Sequence, residues 1–394
     1  MSVERFVAPH VASVPPSGIR KFFDIAAEMK DAISLGVGEP DFVTPWNIRE
    51  AAISSVERGE THYTSNRGLA ELRREIENYL RERFELMYDA EGEIIVTVGA
   101  SEALDLAFRS SVAPGDEVLI PGPSYVSYEP GVVFAGGVPV PVETRAEEDF
   151  TLIPEMIERA VTPRTKAIVI PFPNNPTGAI MTREQLRAIV PVILKYDLFV
   201  ISDEIYAELT YDGRHVSICE FPEIRERSVH IGGFSKSFAM TGFRLGWAAA
   251  PRGFLDAMVK IHQYTMLSAP TMSQYAGEEA LRSERRGGYT QVEKMRESYD
   301  RRRRYMLSSL NRLGLDAFEP RGAFYVFPSI RSTGMNSEEF CERLIHEKKV
   351  ACVPGTAFGA SGEGFIRCSY ATDLGRLREA MHRIGEFIGQ NEAV

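Results

Sequence analysis

One lysine stands in a run of small residues that directly follows a predicted strand. Residues 229–231 are the predicted strand, and residues 232–246 then read Gly-Gly-Phe-Ser-Lys-Ser-Phe-Ala-Met-Thr-Gly-Phe-Arg-Leu-Gly, with Lys236 in fifth place. A lysine at the end of a strand can lose its proton and form a Schiff base with a carbonyl cofactor. Ser235 and Arg244 can hold a phosphate, the arginine through two parallel hydrogen bonds. Taken alone, the sequence Ser-Lys-Ser is more typical of a surface loop.

An aspartate stands at the end of another apolar run. Asp203 directly follows residues 199–202, and Tyr206 comes three residues later. A carboxylate at the end of a buried strand is largely desolvated, and it therefore needs a cationic partner. The protonated nitrogen of a cofactor ring is such a partner, and Tyr206 can reach an oxygen on the same ring. The alternatives are a helix N-cap for Asp203 and a packing role for Tyr206, and each is simpler for the residue alone.

Three more segments place polar or aromatic residues where predicted strands end. Residues 173–178, Pro-Asn-Asn-Pro-Thr-Gly, indicate a rigid turn in which Asn175 can donate from its amide to a ring oxygen. Residues 99–101, Gly-Ala-Ser, open a predicted helix, whose free N–H groups bind phosphate. Tyr125 follows a third strand and can stack on a flat ring. An ordinary Asx turn and a core aromatic are the alternatives for Asn175 and Tyr125.

Short β-rich runs alternate with helical patterns through the middle of the chain. The predicted strands are residues 94–98, 117–120, 167–170, 198–202 and 229–231. Apolar spacing predicts a helix over residues 101–111, and the sequence from Thr182 to Gln185 predicts a capping box that starts another. This alternation predicts an α/β fold whose mostly parallel sheet is covered by helices. Ligands bind at the carboxyl ends of such strands, where the residues described above stand.

The C-terminal part of the chain has a different pattern. A long charged helix over residues 291–313 precedes a closing amphipathic helix over residues 374–388. Three strands are predicted between them, at residues 324–327, 350–353 and 365–369. The pattern predicts a smaller α+β domain. We expect an N-terminal arm and part of the small domain over residues 1–45, a large cofactor-binding domain over 46–285, and a small C-terminal domain over 286–394.

The composition argues against several classes of protein. Of the 394 residues, 44% are hydrophobic and 25% charged, which is enough to build a large core. The net charge of −10 argues against binding to nucleic acid and to anionic membranes. Four cysteines and seven histidines show no zinc-binding spacing, so we expect no metal site and reduced thiols in the cytoplasm. We also expect neither a signal peptide nor a membrane helix.

Together these motifs resemble one family, the class I pyridoxal-phosphate aminotransferases of fold type I. The resemblance covers nearly the whole chain, and its motifs in order are Gly99-Ala100-Ser101, Asn175-Pro176-Thr177-Gly178, Asp203 with Tyr206, Ser235-Lys236, and Arg244. It implies that pyridoxal 5′-phosphate is bound to Lys236, with Asp203 on the pyridine nitrogen and Tyr206 as a further catalytic residue. The other cofactor-binding residues that it implies are Ala100, Ser101, Tyr125, Asn175, Ser235 and Arg244.

The resemblance also implies roles for residues outside these motifs. Arg367 matches the arginine that binds the substrate α-carboxylate beside Asn175, and Gly38 matches a backbone contact to the substrate. Tyr63 matches a tyrosine that reaches the cofactor phosphate of the neighbouring subunit, which implies a homodimer with its active sites at the interface. The implied reaction is ping-pong transamination between an L-amino acid and a 2-oxo acid such as 2-oxoglutarate.

The choice of substrate is weakly encoded. Related bacterial enzymes specific for aspartate commonly have a lysine where this chain has Ser101, which argues against a dedicated aspartate enzyme. Residues 17–23 and the overall pattern are more similar to bacterial alanine, aromatic or N-acetyl-diaminopimelate aminotransferases. Arg20 can meet a distal carboxylate, and a solvated charge is the alternative. Two other functions use the same fold: a carbon–sulfur lyase or other eliminating enzyme, and a non-catalytic transcription regulator. A regulator carries a DNA-binding domain ahead of the fold, and we expect too few residues for one before Gly36.

Overall fold

A seven-stranded sheet lies between two layers of helices. The computed structural model describes residues 3–19, 25, 29 and 31–389, so the candidate Arg20 lies outside the described residues. The strands are, in chain order, β1 Ile33–Ser34, β2 Ile94–Thr97, β3 Glu117–Gly122, β4 Val138–Glu143, β5 Thr165–Ile170, β6 Phe199–Asp203, β7 Ser228–Gly233, β8 Gly246–Ala249, β9 Tyr325–Val326, β10 Val350–Ala351, β11 Val353–Pro354 and β12 Ile366–Ser369.

The order of strands in the central sheet is β2-β8-β7-β6-β5-β3-β4. Strand β8 is antiparallel to both β2 and β7, and the four other pairs are parallel. The prediction of a mostly parallel sheet is therefore confirmed. Strands β4 and β8 are not among the strands predicted from the sequence. Strand β4 alternates valine with proline, which suits its place at the edge of the sheet, and β8 is built from Gly, Trp and Ala rather than β-branched residues.

Helices cover both faces of the sheet, as predicted. They are α1 Pro9–Ala12, α2 Trp46–Glu57, α3 Ala70–Phe84, α4 Gly99–Ser111, α5 Tyr128–Phe134, α6 Pro154–Ala160, α7 Arg183–Lys195, α8 Pro222–Arg225, α9 Arg252–Thr265, α10 Thr271–Arg286, α11 Thr290–Arg312, α12 Ser337–Lys348 and α13 Leu374–Phe387. The predicted capping box at Thr182 and Gln185 starts α7. In the described part of the chain, every helix is too short or too polar to cross a bilayer.

Alternate residues of each strand pack on opposite faces of the sheet. Ile168 and Ile170 of β5 join one buried cluster with residues of α3 and α7. Ala167 and Val169, on the other face, join a second cluster with residues of α4 and α9. The sheet is thereby fixed on both sides, which gives the loops at its edge a rigid base.

A third apolar cluster lies in the C-terminal part and joins residues of α11, α12 and α13. A three-stranded antiparallel sheet, β11-β12-β9, belongs to this part, and β1 pairs with β10 in a separate two-stranded sheet. The single strand predicted over residues 350–353 is wrong, because β10 and β11 pair with different partners on either side of Cys352. The domain boundaries at residues 45 and 285 stay a prediction.

The strands that precede the predicted site residues all end at the same edge of the central sheet. Strands β3, β5, β6 and β7 are parallel, and β2 has the same direction as β7 because two antiparallel steps separate them. Strand β8 has the opposite direction, so it begins at the edge where its neighbours end. The loops that follow β2, β3, β5, β6 and β7 and the loop that precedes β8 therefore meet at one place.

Candidate active site

Lys236 follows β7 at this edge. Its Nζ donates a hydrogen bond to the carbonyl oxygen of Gly38 at 2.6 Å. The ring centroids of Tyr206 and Phe324 lie 5.9 and 5.8 Å from the same nitrogen. Burial lowers the pKa of Lys236 to about 8, an effect that Glu39 opposes and that Arg367 and Arg244 reinforce. The amine therefore loses its proton more readily than an ordinary lysine and is a competent nucleophile.

Asp203 is the last residue of β6 and is 5% exposed. Its Oδ2 accepts a hydrogen bond from the Tyr128 hydroxyl at 2.7 Å, and its Oδ1 accepts one from the backbone N–H of Ile205 at 3.2 Å. Burial raises the pKa of Asp203, and these two hydrogen bonds oppose the rise. No cation forms an ion pair with Asp203 among the residues that the structure describes. A buried carboxylate that forms no ion pair in the described chain fits a site for a cationic ligand group.

A cationic corner lies at the start of α4. Gly99 is the first residue of the helix and has φ +72°, and a Cβ placed there would lie 2.8 Å from Nη2 of Arg244. Ala100 and Ser101 follow, so their N–H groups have no partner within the helix. Arg244 makes no ion pair within the described chain, and its guanidinium stands beside the positive end of the helix dipole. This arrangement fits a phosphate.

Arg367 lies in β12 and is 2% exposed. Its Nη1 donates to Oδ1 of Asn175 at 2.8 Å, and its Nη2 donates to the carbonyl oxygen of Gly36 at 2.5 Å. The guanidinium carbon lies 4.4 and 4.8 Å from the ring centroids of Tyr325 and Phe358. Its buried Nε has no hydrogen-bond partner in the described part of the protein. Arg367 is thus held in place by two of its N–H groups, its other donors, Nε among them, are left for an anion, and the amide nitrogen of Asn175 is left to donate elsewhere.

Two tyrosines that were not predicted as site residues lie in contact with predicted ones. The Tyr325 hydroxyl lies 2.8 Å from the Tyr206 hydroxyl. The Tyr128 ring packs edge-on against Tyr125, with centroids 5.6 Å apart. In the sequence both residues were indistinguishable from core aromatics. The only available signals were their positions, Tyr128 three residues after Tyr125 and Tyr325 inside a predicted strand.

Of the other predicted site residues, two lie close to Lys236 and one does not contact the site within the described chain. Gly38 lies in the site, and a side chain there would collide with the Tyr325 hydroxyl. Ser235 is buried next to Lys236 in the sequence. Tyr63 is 82% exposed, and no hydrogen bond or ring contact joins it to the other site residues within the described chain. Its predicted role in a neighbouring subunit therefore stays a prediction.

Comparison with known proteins decides the family of the chain. Residues 30–384 match the family described as "Aminotransferase class I and II". The chain belongs to this family. The aminotransferase is 46% identical to the aspartate aminotransferase of Pyrococcus abyssi, over 96% of this chain and 97% of that one. It is 43% identical to aromatic-amino-acid aminotransferase 2 of Thermococcus litoralis, over 97% of this chain and 98% of that one.

Solved structures support the same conclusion. The aminotransferase is 40% identical to the aspartate aminotransferase of Thermus thermophilus solved with maleate, with a TM-score of 0.92 over 96% of this chain and 99% of that one. The predicted fold class and reaction class are therefore confirmed: the protein is an enzyme that catalyses transamination. Its family uses pyridoxal 5′-phosphate and acts on amino acids and 2-oxo acids. The lyase and regulator alternatives receive no support from these relatives.

Proposed function

We propose that this aminotransferase binds pyridoxal 5′-phosphate covalently through Lys236 and exchanges amino groups between L-amino acids and 2-oxoglutarate. The observation that carries the proposal is the convergence of three unlike groups at one edge of the sheet. They are an amine whose pKa is about 8, a buried carboxylate that forms no ion pair in the described chain, and a cationic corner at a helix start. These are the groups that an aldehyde, a ring nitrogen and a phosphate need.

Each part of the cofactor has residues suited to hold it. The phosphate would be held by Arg244 and Ser235 together with Ala100 and Ser101 at the start of α4. Asp203 would pair with the ring nitrogen. The remaining contacts would come from Tyr206 and the Asn175 amide nitrogen to the ring oxygen and from Tyr125 to the face of the ring.

When bound, the cofactor supplies an aldehyde that bonds the substrate amine and a ring that accepts the electron pair of the broken Cα–H bond. Lys236 takes up the Cα proton at Nζ and later returns a proton, first as general base and then as general acid. Its lowered pKa suits both steps, because the protonated and neutral forms of Nζ are both well populated close to pH 8. Asp203 would keep the ring nitrogen protonated through charge attraction in a dry site.

Arg367 orients the substrate. Its Nε is unpartnered within the described chain, while Asn175 and Gly36 fix the rest of the guanidinium. A substrate α-carboxylate can therefore bind without any rearrangement of the arginine. Because one end of the substrate is then fixed, its Cα–H bond can be held towards Lys236. Holding the reacting bond close to the base in this way contributes to the rate.

A cavity of about 820 Å³ opens beside Ser101 and Tyr125, and we infer that the side chain of the donor extends into it, because both residues belong to the proposed cofactor site. Its walls combine apolar residues with the carboxylates Asp105, Glu129 and Glu338, and no Lys, Arg or His is among the described residues that line it. We infer that alanine and aromatic donors compete well with aspartate, because an acidic side chain finds no fixed cation there. Relatives named for aspartate and for aromatic amino acids are about equally similar, so their names do not decide between the donors.

We propose a homodimer in which Tyr63 completes the phosphate site of the partner. Tyr63, Tyr264 and Met266 are exposed, and the segments that carry them are joined by hydrogen bonds from Asn66 to Leu267 and from Thr271 to His62. They support this proposal, because large exposed apolar groups mark interaction surfaces. Mixed dimers of Lys236→Ala and Tyr63→Ala chains should regain activity at the one site that has both intact residues. Full activity in a protein that sedimentation shows to be a monomer would rule the proposal out.

We also propose a cytoplasmic location, which the four free, buried cysteines support.

Borohydride reduction tests the cofactor proposal directly. Purified protein loaded with pyridoxal 5′-phosphate should be yellow, and reduction should fix the cofactor onto the peptide that contains Lys236. Lys166 and Lys260 offer a built-in comparison, since both are lysines of the same chain outside the site. Cofactor found on another lysine, or on none, would contradict the assignment.

A further inference from the structure

Tyr128 contacts two of the proposed cofactor residues at once. It is the first residue of α5, is 3% exposed, and donates its hydroxyl hydrogen to Oδ2 of Asp203 at 2.7 Å. Its ring packs edge-on against Tyr125, with an interplanar angle of 81°. Its backbone N–H also donates to the carbonyl oxygen of Tyr125 at 3.2 Å, so one turn of chain connects the two tyrosines.

The hydrogen bond to Asp203 has two consequences. Tyr128 engages Oδ2 while the backbone N–H of Ile205 engages Oδ1, so the plane of the carboxylate is fixed from both sides. Each carboxylate oxygen accepts more than one hydrogen bond, so Asp203 keeps acceptor capacity for a ring nitrogen. A donor on the carboxylate also favours its charged form, against the burial that disfavours it.

Tyr128 is suited to remain a donor at every working pH. Burial and the neighbouring Asp203 raise the pKa of its hydroxyl well above the ordinary value of 10. The hydroxyl therefore keeps its proton, and the carboxylate is the only partner that its hydrogen bond has in the described chain. A phenylalanine at this position would keep the ring contact with Tyr125 and would remove only the hydroxyl group that donates to Asp203.

We propose that Tyr128 is a positioning residue, which holds the Asp203 carboxylate towards the ring nitrogen and the Tyr125 ring against the face of the same cofactor. The inference rests on the proposed function, because it needs a ring at this place. The side chain has two separable effects. Its hydroxyl acts through Asp203 on the protonation of the ring nitrogen, and its aromatic ring acts through Tyr125 on the binding of the cofactor.

The test compares Tyr128→Phe and Tyr128→Leu in the cofactor-loaded enzyme, with Tyr289→Phe as the matched control. Tyr289 is also a buried tyrosine whose hydroxyl faces a carboxylate, Glu82 at 3.4 Å, but it lies outside the site. In Tyr128→Phe we expect kcat to fall about tenfold, the scale of a hydrogen bond to a charged group, with KM for the amino acid unchanged. The pH titration of the bound cofactor's absorbance should also shift.

In Tyr128→Leu we expect a further, separate loss, namely weaker binding of pyridoxal 5′-phosphate in equilibrium dialysis. Tyr289→Phe should leave the titration, kcat and cofactor affinity as in the wild type. A Tyr128→Phe enzyme with wild-type kcat and a wild-type titration would overturn the inference. Cofactor uptake by the wild-type protein tests the proposed function separately, because it does not depend on the variants.

A double-mutant cycle with Asp203→Asn shows whether Tyr128 acts through Asp203. If it does, Tyr128→Phe should cause little further change in the absorbance titration once the carboxylate is gone, because residues that act as a unit are not additive. Fully additive effects of the two changes would contradict the positioning role. The thermal unfolding temperature of each variant, compared with that of Tyr289→Phe, separates this coupling from a general loss of stability.

Discussion

Replacement of Arg367 by alanine should cost the enzyme most of its catalytic efficiency with every amino-acid substrate. The side chain is 2% exposed and lies between the rings of Tyr325 and Phe358, so the site around it is dry. Its Nη1 and Nη2 each donate one hydrogen bond, to Asn175 and to Gly36, and the unpartnered Nε is among the donors left for the substrate. Removal of the guanidinium leaves the α-carboxylate of a bound substrate buried without a cationic partner.

The size of the loss follows from that burial. Removal of one partner from a buried ion pair costs about 3–5 kcal/mol, and each 1.4 kcal/mol or so is a factor of about ten in rate. We therefore expect kcat/KM to fall by roughly 150- to 5,000-fold. Arg367→Lys should lose less, because it keeps the charge but not the planar fork or the stacking on the two rings.

The assay compares substrates with and without the α-carboxylate. Stopped-flow absorbance gives kcat/KM of the first half-reaction for phenylalanine and for phenethylamine, which lacks the carboxylate. Arg367→Ala should slow the amino acid far more than the amine, and Arg331→Lys, another arginine over a phenylalanine ring, should slow neither. Equal losses with both compounds would refute the reasoning, because they would show that Arg367 only supports the structure around it.

Four further predictions concern Lys236, Asp203 and Ser101. Lys236→Ala should lose the cofactor's linked absorbance band and all turnover, and residual transamination above a cofactor-only blank would contradict its role. Because burial lowers the pKa of Lys236 to about 8, its amine is mainly protonated below that pH and mainly neutral above it. The rate of cofactor attachment to apoenzyme should thus rise with pH and level off above about 8; a rate that still climbs towards pH 10.5, the ordinary lysine value, would count against the assignment. Asp203→Ala should lower kcat by at least about a hundredfold, the scale of lost electrostatic preorganisation, and near-normal kcat would exclude its proposed pairing with the ring. Ser101→Lys should raise kcat/KM for aspartate relative to alanine, and an unchanged ratio across a panel of donors would show that the cavity beside Ser101 does not select the side chain.

Much of the fold could be predicted because burial leaves a clear pattern in the sequence. The five strands that were predicted in the central sheet are short apolar runs, and alternate residues of β5 do pack on opposite faces. Strand β4 was missed because its prolines, which an edge position tolerates, read as breakers of a strand. The interruption at Cys352 was missed because nothing in the run from Val350 to Pro354 marks a change of partner strand.

The candidate site was predictable where its residues have unusual chemistry for their position. Lys236, Asp203 and Asn175 are polar residues at the ends of apolar strands, and such residues stand out in a sequence. Tyr128 and Tyr325 do not stand out, because a buried aromatic residue is the ordinary content of a core. Their importance depends on where their hydroxyl groups point, and only the packing of distant segments decides that. The proposed role of Tyr63 depends on a second chain, which one sequence does not describe.

A single-turnover experiment tests the central claim, which is transamination with pyridoxal 5′-phosphate held by Lys236. Cofactor-loaded enzyme is mixed with an excess of alanine and no 2-oxo acid, and absorbance, pyruvate and ammonia are followed together. The proposal predicts loss of the linked absorbance band, one pyruvate per active site, no ammonia, and return of the band when 2-oxoglutarate is added. Continuous release of pyruvate with ammonia, or a band that alanine leaves unchanged, would contradict it.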